Sequence, residues 1–327
     1  MNRLSTDKIS SYAAAVPSAT RDEPMTKHTT LKIGGPARLF VEAKTADDLV
    51  AAVKAAVSMH IPYAVVGSGS NLLVSDEGFE GVVILASERG VTVKGMVVTA
   101  AAGTFTSLVA RAAADAGLAG FEWGATIPGT IAGAAYGNAG CFGGEMSHVL
   151  DSIDAYDVTE RRRVTLRNAA CGFAYRESRF KHEPFILLSV TLRLRPGDKK
   201  DIAKRISELM HERSVTQPRG ACSAGCMFKN FHYVDEAALE ILRRKTDTIP
   251  EGMLKRKNIG AGWLVDTLGL KGTSIGKAKV SEVHGNFVVN EGGARAQDIV
   301  ALESMIKMKV RDELGIMLED EVQLIGF

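Results

Sequence analysis

"IPGTIAGAAYGNAG", residues 127–140, carries glycines at 129, 133, 137 and 140, more than a simple connection needs. Pro128 and Gly129 predict a turn, and Thr130 is placed to cap a short helix whose N-terminus would face a phosphate. A second glycine loop, "GSGSN" at 67–71, lies between two apolar runs that read as strands, "YAVV" (63–66) and "GVVILA" (81–86). Glycines let backbone N–H groups converge on an anion, and Ser and Asn add donors. The dinucleotide fingerprint of a nicotinamide-type Rossmann site would need G-x-G-x-x-G opening a helix. Here Gly67 and Gly69 are followed by Asn71, Leu72 and strand-like residues, which argues against that site. Alone, such a loop reads equally well as a tight turn. Two of them, each ending a strand, suit a long ligand carrying a pyrophosphate, and FAD is such a ligand.

The rest of the chain fits a folded soluble protein. Its 327 residues are enough for two or three lobes, and 46% hydrophobic with 24% charged residues is ordinary for a folded protein. Forty Lys+Arg against 38 Asp+Glu leave a formal charge of +2, without the basic surplus that nucleic-acid binding requires. The basic clusters "ERRRV" (160–164), "LRRKT" (242–246) and "LKRKN" (254–258) read as solvated faces. No apolar run approaches the roughly 20 residues that span a membrane. The N-terminus has no apolar core of signal-peptide length, and residues 1–27 read as a loose leader before the fold. The location expected is the cytoplasm, with the four cysteines reduced.

Helix and strand patterns alternate, as in α/β and α+β folds. "TADDLVAAVKAAVSMH" (45–60) opens on a capping-box-like Thr45 and Asp48 and lines one face with Leu49, Val50, Val53 and Val57. A strand near 97–101 precedes a helix over about 104–116, with Gly117 as its C-cap. "SIDAYDV" and "FILLSVTLRLR" alternate as strands. An amphipathic helix from 199 opens a third lobe, which ends in a helix over about 296–314 and a final strand, "IMLEDEVQLIGF".

Between those helices lies "CSAGCMFKN", 222–230, with no helix-type or strand-type pattern. Its two cysteines, Cys222 and Cys226, leave a metal site, a disulfide, a nucleophile or some other role open. Zinc from Cys222, Cys226 and His232 lacks the C-x2-C spacing and a fourth ligand, so no metal is expected. A disulfide is disfavoured in a cytosol. Cys141 and Cys171 read as inert core thiols.

Eight stretches carry a resemblance, and they come in order: "HTTLKIGGPA" (28–37), "VVGSGSNLLV" (65–74), "IPGTIAGAAYGNAG" (127–140), "YRESRFK" (175–181), "SAGCMFKN" (223–230), "GWLVDTLGLKG" (262–272), "VSEVHGNFVVN" (280–290) and "GIMLEDEVQLIG" (315–326). Together they closely resemble the UDP-N-acetylenolpyruvoylglucosamine reductase family, in its second subclass, over nearly the whole chain from residue 28. The resemblance implies a three-lobed α/β and α+β flavoprotein. Residues 28–87 and 88–199 would form an FAD-binding unit of the vanillyl-alcohol-oxidase/PCMH type, and 200–327 a substrate-binding domain. It implies non-covalent FAD, NADPH as co-substrate, UDP-N-acetylglucosamine enolpyruvate as substrate, and a monomer with no membrane or nucleic-acid partner. The family reduces the enolpyruvyl ether to a lactyl ether, giving UDP-N-acetylmuramate for peptidoglycan.

Carried over residue by residue, the resemblance places FAD on Gly67, Ser68, Gly69, Ser70, Asn71, Leu72, Ile127, Pro128, Gly129, Thr130, Gly133, Asn138 and Gly140. Arg176 would hold the substrate carboxylate bidentately. Glu321, protonated, would donate to the developing enolate. The proton donor to the alpha carbon falls on Cys226, where most of the family has serine. A thiol, with a reference pKa of about 8.5, is a stronger acid than a serine hydroxyl. Tyr175, Lys229, Asn230 and His284 are candidate substrate contacts. The chain departs from the family pattern at His28, Cys222 and Phe231, and in a longer 232–258 connection. Two other readings stand beside this one. One is a sugar or alcohol oxidase of the same fold, although no His or Cys sits in a covalent-flavin motif. The other is a catalytically dead FAD-binding module, prompted by the Ser-to-Cys change.

Overall fold

The computed structural model describes residues 3–246 and 248–327. The chain divides into two compact units, each assembled from separated stretches. The first comprises Met1–Glu23, Ala37–Ser68 and Phe79–Ser214; the second comprises Pro24–Pro36, Gly69–Gly78 and Val215–Phe327.

Two larger sheets organise the first unit. One runs in the order Thr20–Pro24, Pro36–Ala43, Phe79–Ala86, Tyr63–Val66, and Phe79–Ala86 lies parallel to both neighbours. Parallel strands need a crossover rather than a hairpin, and the helix Ala46–Ser58 supplies it. Thr45 Oγ1 accepts from the Asp48 N–H and the Asp48 carboxylate accepts from the Thr45 N–H, both at 3.0 Å. This is the capping box expected from the sequence, a device that stabilises by about 1 kcal/mol. Leu49, Val50 and Val53 of that helix are buried against Val41, Val82 and Ile84 of the sheet.

The second sheet is antiparallel throughout, in the order Arg162–Arg167, Leu150–Asp157, Phe185–Arg193, Val97–Ala101, Val91–Lys94. The helices Thr106–Asp115 and Ile131–Tyr136 cover its inner face through Val109, Ala110, Ile131 and Ala135. Tyr156, Ile186 and Leu188 turn to the other side and join the core of the first sheet.

The expected leader is a folded part of this unit. Residues Thr6–Ala15 form a helix, and Tyr12 is wholly buried, donating to the Ala52 carbonyl at 3.0 Å. Thr20–Pro24 is a strand of the first sheet. A short polar stretch with one well-placed aromatic docks through that aromatic, which composition does not reveal.

The second unit has a four-stranded antiparallel sheet in the order Cys222–Cys226, Phe287–Asn290, Ala278–Val280, Ser274–Ile275. The helix Ala296–Leu314 buries Ile299, Leu302, Ile306 and Val310 in its core, and Gly315 closes that helix in the left-handed conformation at φ 71°. The segment 232–258 folds into short helices, Glu240–Lys245 and Glu251–Lys255, and sinks Leu239 and Leu242 into the same core. The expected final strand shrinks to Gln323–Ile325, parallel to Leu72–Val74. Before it, Ile316 and Leu318 are buried, yet only an isolated bridge at Asp320 pairs. Alternation reported burial there, not a ladder partner.

Candidate active site

The glycine loops of the first unit touch. A Cβ built on Gly67 would fall 2.5 Å from Thr130 Oγ1, so a side chain at 67 would have to displace the second loop. Gly129 sits at φ 110°, where only glycine is at ease. Thr106 receives the turn, its N–H donating to the Gly129 carbonyl at 3.1 Å. Thr130 caps the helix as expected, Oγ1 accepting from the Gly133 N–H at 3.3 Å.

The helix tip itself corrects the sequence reading. Ile131 N–H donates to Thr104 O, Ala132 N–H to Ala102 O and Gly133 N–H to Thr130 Oγ1. The first three helical donors are spent inside the protein, and the helix has only six residues. The helix terminus therefore has none of these three donors left to offer an anion.

Asn138 and Arg176 tie the second loop to the "YRES" turn. Asn138 is fully buried at φ 43°; its amide donates to the Ala174 carbonyl at 2.9 Å, and its oxygen accepts from the Ser147 N–H at 2.9 Å. Ala174 and Glu177 exchange backbone hydrogen bonds at 3.1 and 3.0 Å, leaving Tyr175 and Arg176 at the tip of a two-residue turn. Arg176 has φ 56°, uncommon for a residue with a side chain. Its guanidinium donates to the Gly140 carbonyl at 2.9 Å and lies 5.0 Å from the Tyr175 ring centroid. Lys181 holds the turn from behind, donating to the Arg176 carbonyl at 2.6 Å.

Both cysteines of this unit are ordinary thiols. Burial pushes Cys171 up to about 11 and also raises Cys141, whose sulfur lies 3.2 Å from Thr126 Oγ1. Both stay protonated and unreactive near neutral pH.

Cys226 and Glu321 belong to the second unit. "CSAGC" is a strand, where the sequence showed no strand pattern, because a bulge breaks its alternation. Ser223 pairs with Val289 and Cys226 with Phe287, three steps on one strand against two on the other. Gly225, at φ 80°, absorbs the extra residue. Such a bulge re-aims the side chain that follows it, here the thiol of Cys226.

Downstream, Met227–Lys229 lies against the C-terminal segment. Glu321 N–H donates to Met227 O and Lys229 N–H to Glu319 O, both at 2.8 Å, with a bridge between Phe228 and Asp320. Glu321 thus stands opposite the residue after Cys226. Asn71 of the first glycine loop joins them, its amide donating to the Glu321 carbonyl at 2.9 Å. Of the remaining loop residues, Gly69 is packed so that a Cβ would fall 2.0 Å from the His28 carbonyl, and Leu72 pairs with Gln323.

Asn286, which sequence reasoning passed over, braces this arrangement. It is buried; its oxygen accepts from the Phe228 N–H at 2.9 Å and its amide donates to the Phe228 carbonyl at 2.8 Å. The signal lay in "VHGN", where the asparagine closes the turn just before the apolar strand Phe287–Asn290. Nearby, His284 Nδ1 accepts from the Asn286 N–H at 3.1 Å, which puts the proton on Nε2. Burial, then the charge of Lys271, lowers its pKa, so the ring is neutral with Nε2–H as donor. Asn230 accepts from the Ala261 N–H at 3.1 Å at the start of the helix Ala261–Thr267, and Lys229 pairs with Glu319 at 3.4 Å.

A model of the UDP-N-acetylenolpyruvoylglucosamine reductase C-terminal domain matches residues 217–325, and a model of an FAD binding domain matches 37–163. The reductase of that name from Alkaliphilus oremlandii is 36% identical over 98% of this chain and 99% of its own length. The chain belongs to the UDP-N-acetylenolpyruvoylglucosamine reductase family. The Heliobacterium modesticaldum reductase is 38% identical over 94% of this chain and 90% of its own. The crystal structure of the Thermus caldophilus reductase superposes with a TM-score of 0.71 at 34% identity, covering 94% of this chain and 98% of that one. The flavoprotein fold expected from the sequence stands: the four- and five-stranded sheets of the first unit and the four-stranded sheet of the second mark its three lobes. Among the described residues, no helix is long and apolar enough to cross a membrane.

Proposed function

We propose that this protein reduces UDP-N-acetylglucosamine enolpyruvate to UDP-N-acetylmuramate with NADPH, through bound FAD, in peptidoglycan precursor synthesis. Family membership along almost the full chain carries the reading. FAD fits the residues present: Gly67 lies so close to Thr130 that a side chain would fill the space, and Gly129 adopts a glycine conformation in the same loop pair. Gly67–Leu72 and Ile127–Gly140 would hold its pyrophosphate. The chemistry the cofactor supplies when bound is carriage of a hydride from NADPH to the substrate's vinyl carbon.

The chain's own groups do the rest. Arg176 pairs with the substrate carboxylate, where negative charge grows as the carbon is reduced. Glu321, protonated, donates a hydrogen bond to that same developing enolate. Cys226 gives its proton to the alpha carbon. Tyr175, Lys229, Asn230 and the Nε2–H of His284 contact the sugar nucleotide. The enzyme works in the cytoplasm as a monomer.

NADPH consumption strictly dependent on the enolpyruvyl sugar nucleotide tests the proposal. Oxidation of simple sugars or alcohols at the expense of oxygen would favour an oxidase instead. A yellow protein inert to both would leave only the binding module.

A further inference from the structure

Beside the Phe228–Asp320 bridge lies a charge cluster that the reaction does not use, with one member, Glu303, buried and two, Lys307 and Asp320, half-buried. Glu303 and Lys307 stand one turn apart on the helix Ala296–Leu314, and Glu303 is only 7% exposed. Lys307 Nζ is 2.8 Å from Glu303 Oε1 and 2.6 Å from Asp320 Oδ2. Two carboxyl groups therefore share one ammonium. Asp320 Oδ1 lies 2.5 Å from the same nitrogen yet is buried without a directed hydrogen bond. A proton on Glu303 is the donor this pair lacks.

The place of Asp320 in the chain matters. Its backbone bridges Phe228, and it immediately precedes Glu321. The ammonium of Lys307 lies 6.0 Å from the centre of the Phe228 ring, so the cluster grips both sides of the pairing. We propose that Glu303, Lys307 and Asp320 form a clamp, anchored on the buried Glu303, that positions Glu321 and Cys226, closed while Glu303 holds its proton and loosened when the proton leaves.

Burial first, and then the hydrogen bond to Asp320, raises Glu303 to about 7, against the pull of Lys307. The charged groups acting on it are Lys307 on its own helix and Asp320 on the C-terminal segment. The facing 227–229 stretch offers Phe228, and its charged residue, Lys229, is paired with Glu319. Above the folded-state value, two carboxylates face one lysine, and the charge on the buried Glu303 is only partly compensated. The sign for stability follows. A carboxyl raised above its unfolded value, about 4.3, stabilises the fold fully below that value and loses the contribution as pH rises through the folded value.

The clamp rests on the reductase reading for its effect on turnover, but not for its effect on the backbone. Two readouts are therefore needed on the full-length, FAD-loaded protein. Hydrogen exchange of the 227–229 and 319–321 amides, corrected for intrinsic rates, is expected to speed several-fold in wild type between pH 6 and pH 8. Glu303→Gln, whose amide still donates to Asp320, is expected to hold protection constant over that range. Turnover, normalised to each enzyme's maximum, is expected to show a limb near pH 7 in wild type that Glu303→Gln removes and Cys226→Ser leaves in place. If Glu303→Gln does not fold, Asp320→Asn serves: Lys307 then pairs with a single carboxylate, and the limb is expected to vanish. Exchange and turnover profiles identical in wild type and the folded variant would overturn the clamp. Exchange that responds while wild type shows no substrate-dependent turnover would instead overturn the reductase reading.

Discussion

In the first unit, Gly67 and Gly129 stand where the backbone leaves a side chain no place. At Gly67 a single methyl would strike Thr130, and at Gly129 the chain takes a conformation that side chains resist. The 222–230 stretch of the second unit does the reverse. Its bulge at Gly225 spends backbone irregularity to aim one thiol, and the atoms around it are fixed by other side chains, Asn286 above all. A backbone-built site fails when something is added, whereas a side-chain-built site fails when something is removed.

Adding bulk to the first region should give the largest effect. Gly129→Val places a β-branched residue at φ 110°, a cost on the order of 1–3 kcal/mol even before any clash. The expected product is a folded but colourless protein without FAD and without NADPH oxidation. Its visible absorption spectrum and near-UV circular dichroism check this. A bright yellow Gly129→Val protein would show that this loop does not hold the cofactor.

Removing groups should separate the half-reactions. Cys226→Ala is expected to accept electrons from NADPH at the wild-type rate yet turn over the sugar nucleotide about 10²–10⁴-fold more slowly, the range for a lost general acid. Arg176→Ala is expected to behave alike, with a loss of about 10²–10³-fold if its charge meets developing negative charge as an oxyanion donor does. Stopped-flow measurement of flavin reduction and of reoxidation by substrate distinguishes the two steps. Equal slowing of both would assign these residues to the fold.

The same contrast explains what the sequence disclosed. Glycine loops were visible because a glycine is a local instruction, as were the cap at Thr45 and the helix Ala296–Leu314. Side-chain braces were not visible, because Phe228 and Asn286 are 58 residues apart and only the fold joins them. The pairing of Glu303 with Asp320 was hidden in the same way, as was the docking of Tyr12 under the helix Ala46–Ser58. The helix tip at Ile131 misled for a related reason: its donors are consumed by Thr104 and Ala102, carbonyls that no pattern near residue 131 announces.

Asn286→Ala tests the brace with a smaller effect. It strands the buried Phe228 N–H and carbonyl, and an unmade hydrogen bond of this kind costs about 1–3 kcal/mol. A lowered denaturant midpoint and a loss of turnover are expected, while FAD binding by the first unit's loops persists. Loss of FAD in step with loss of stability would contradict the division between the regions.

Cys226→Ser should have the smallest effect and be the most informative, because it changes one atom and no packing. A proton donor must be neutral when hydride arrives, so wild-type activity should decline as pH rises through the thiol's pKa, about 8.5 before the protein acts on it. Serine does not ionise in that range. The variant is therefore expected to keep substantial turnover and the limb near pH 7 that Glu303 sets, and to lose only the further decline at more alkaline pH. Peroxide offers a second view of the same atom. A thiol oxidised to a sulfenic acid cannot donate its proton, so peroxide should inactivate wild type, and a thiol reductant should restore it. Cys226→Ser should resist. Wild type and variant with one alkaline limb and one peroxide sensitivity would return Cys226 to the inert class of Cys141 and Cys171.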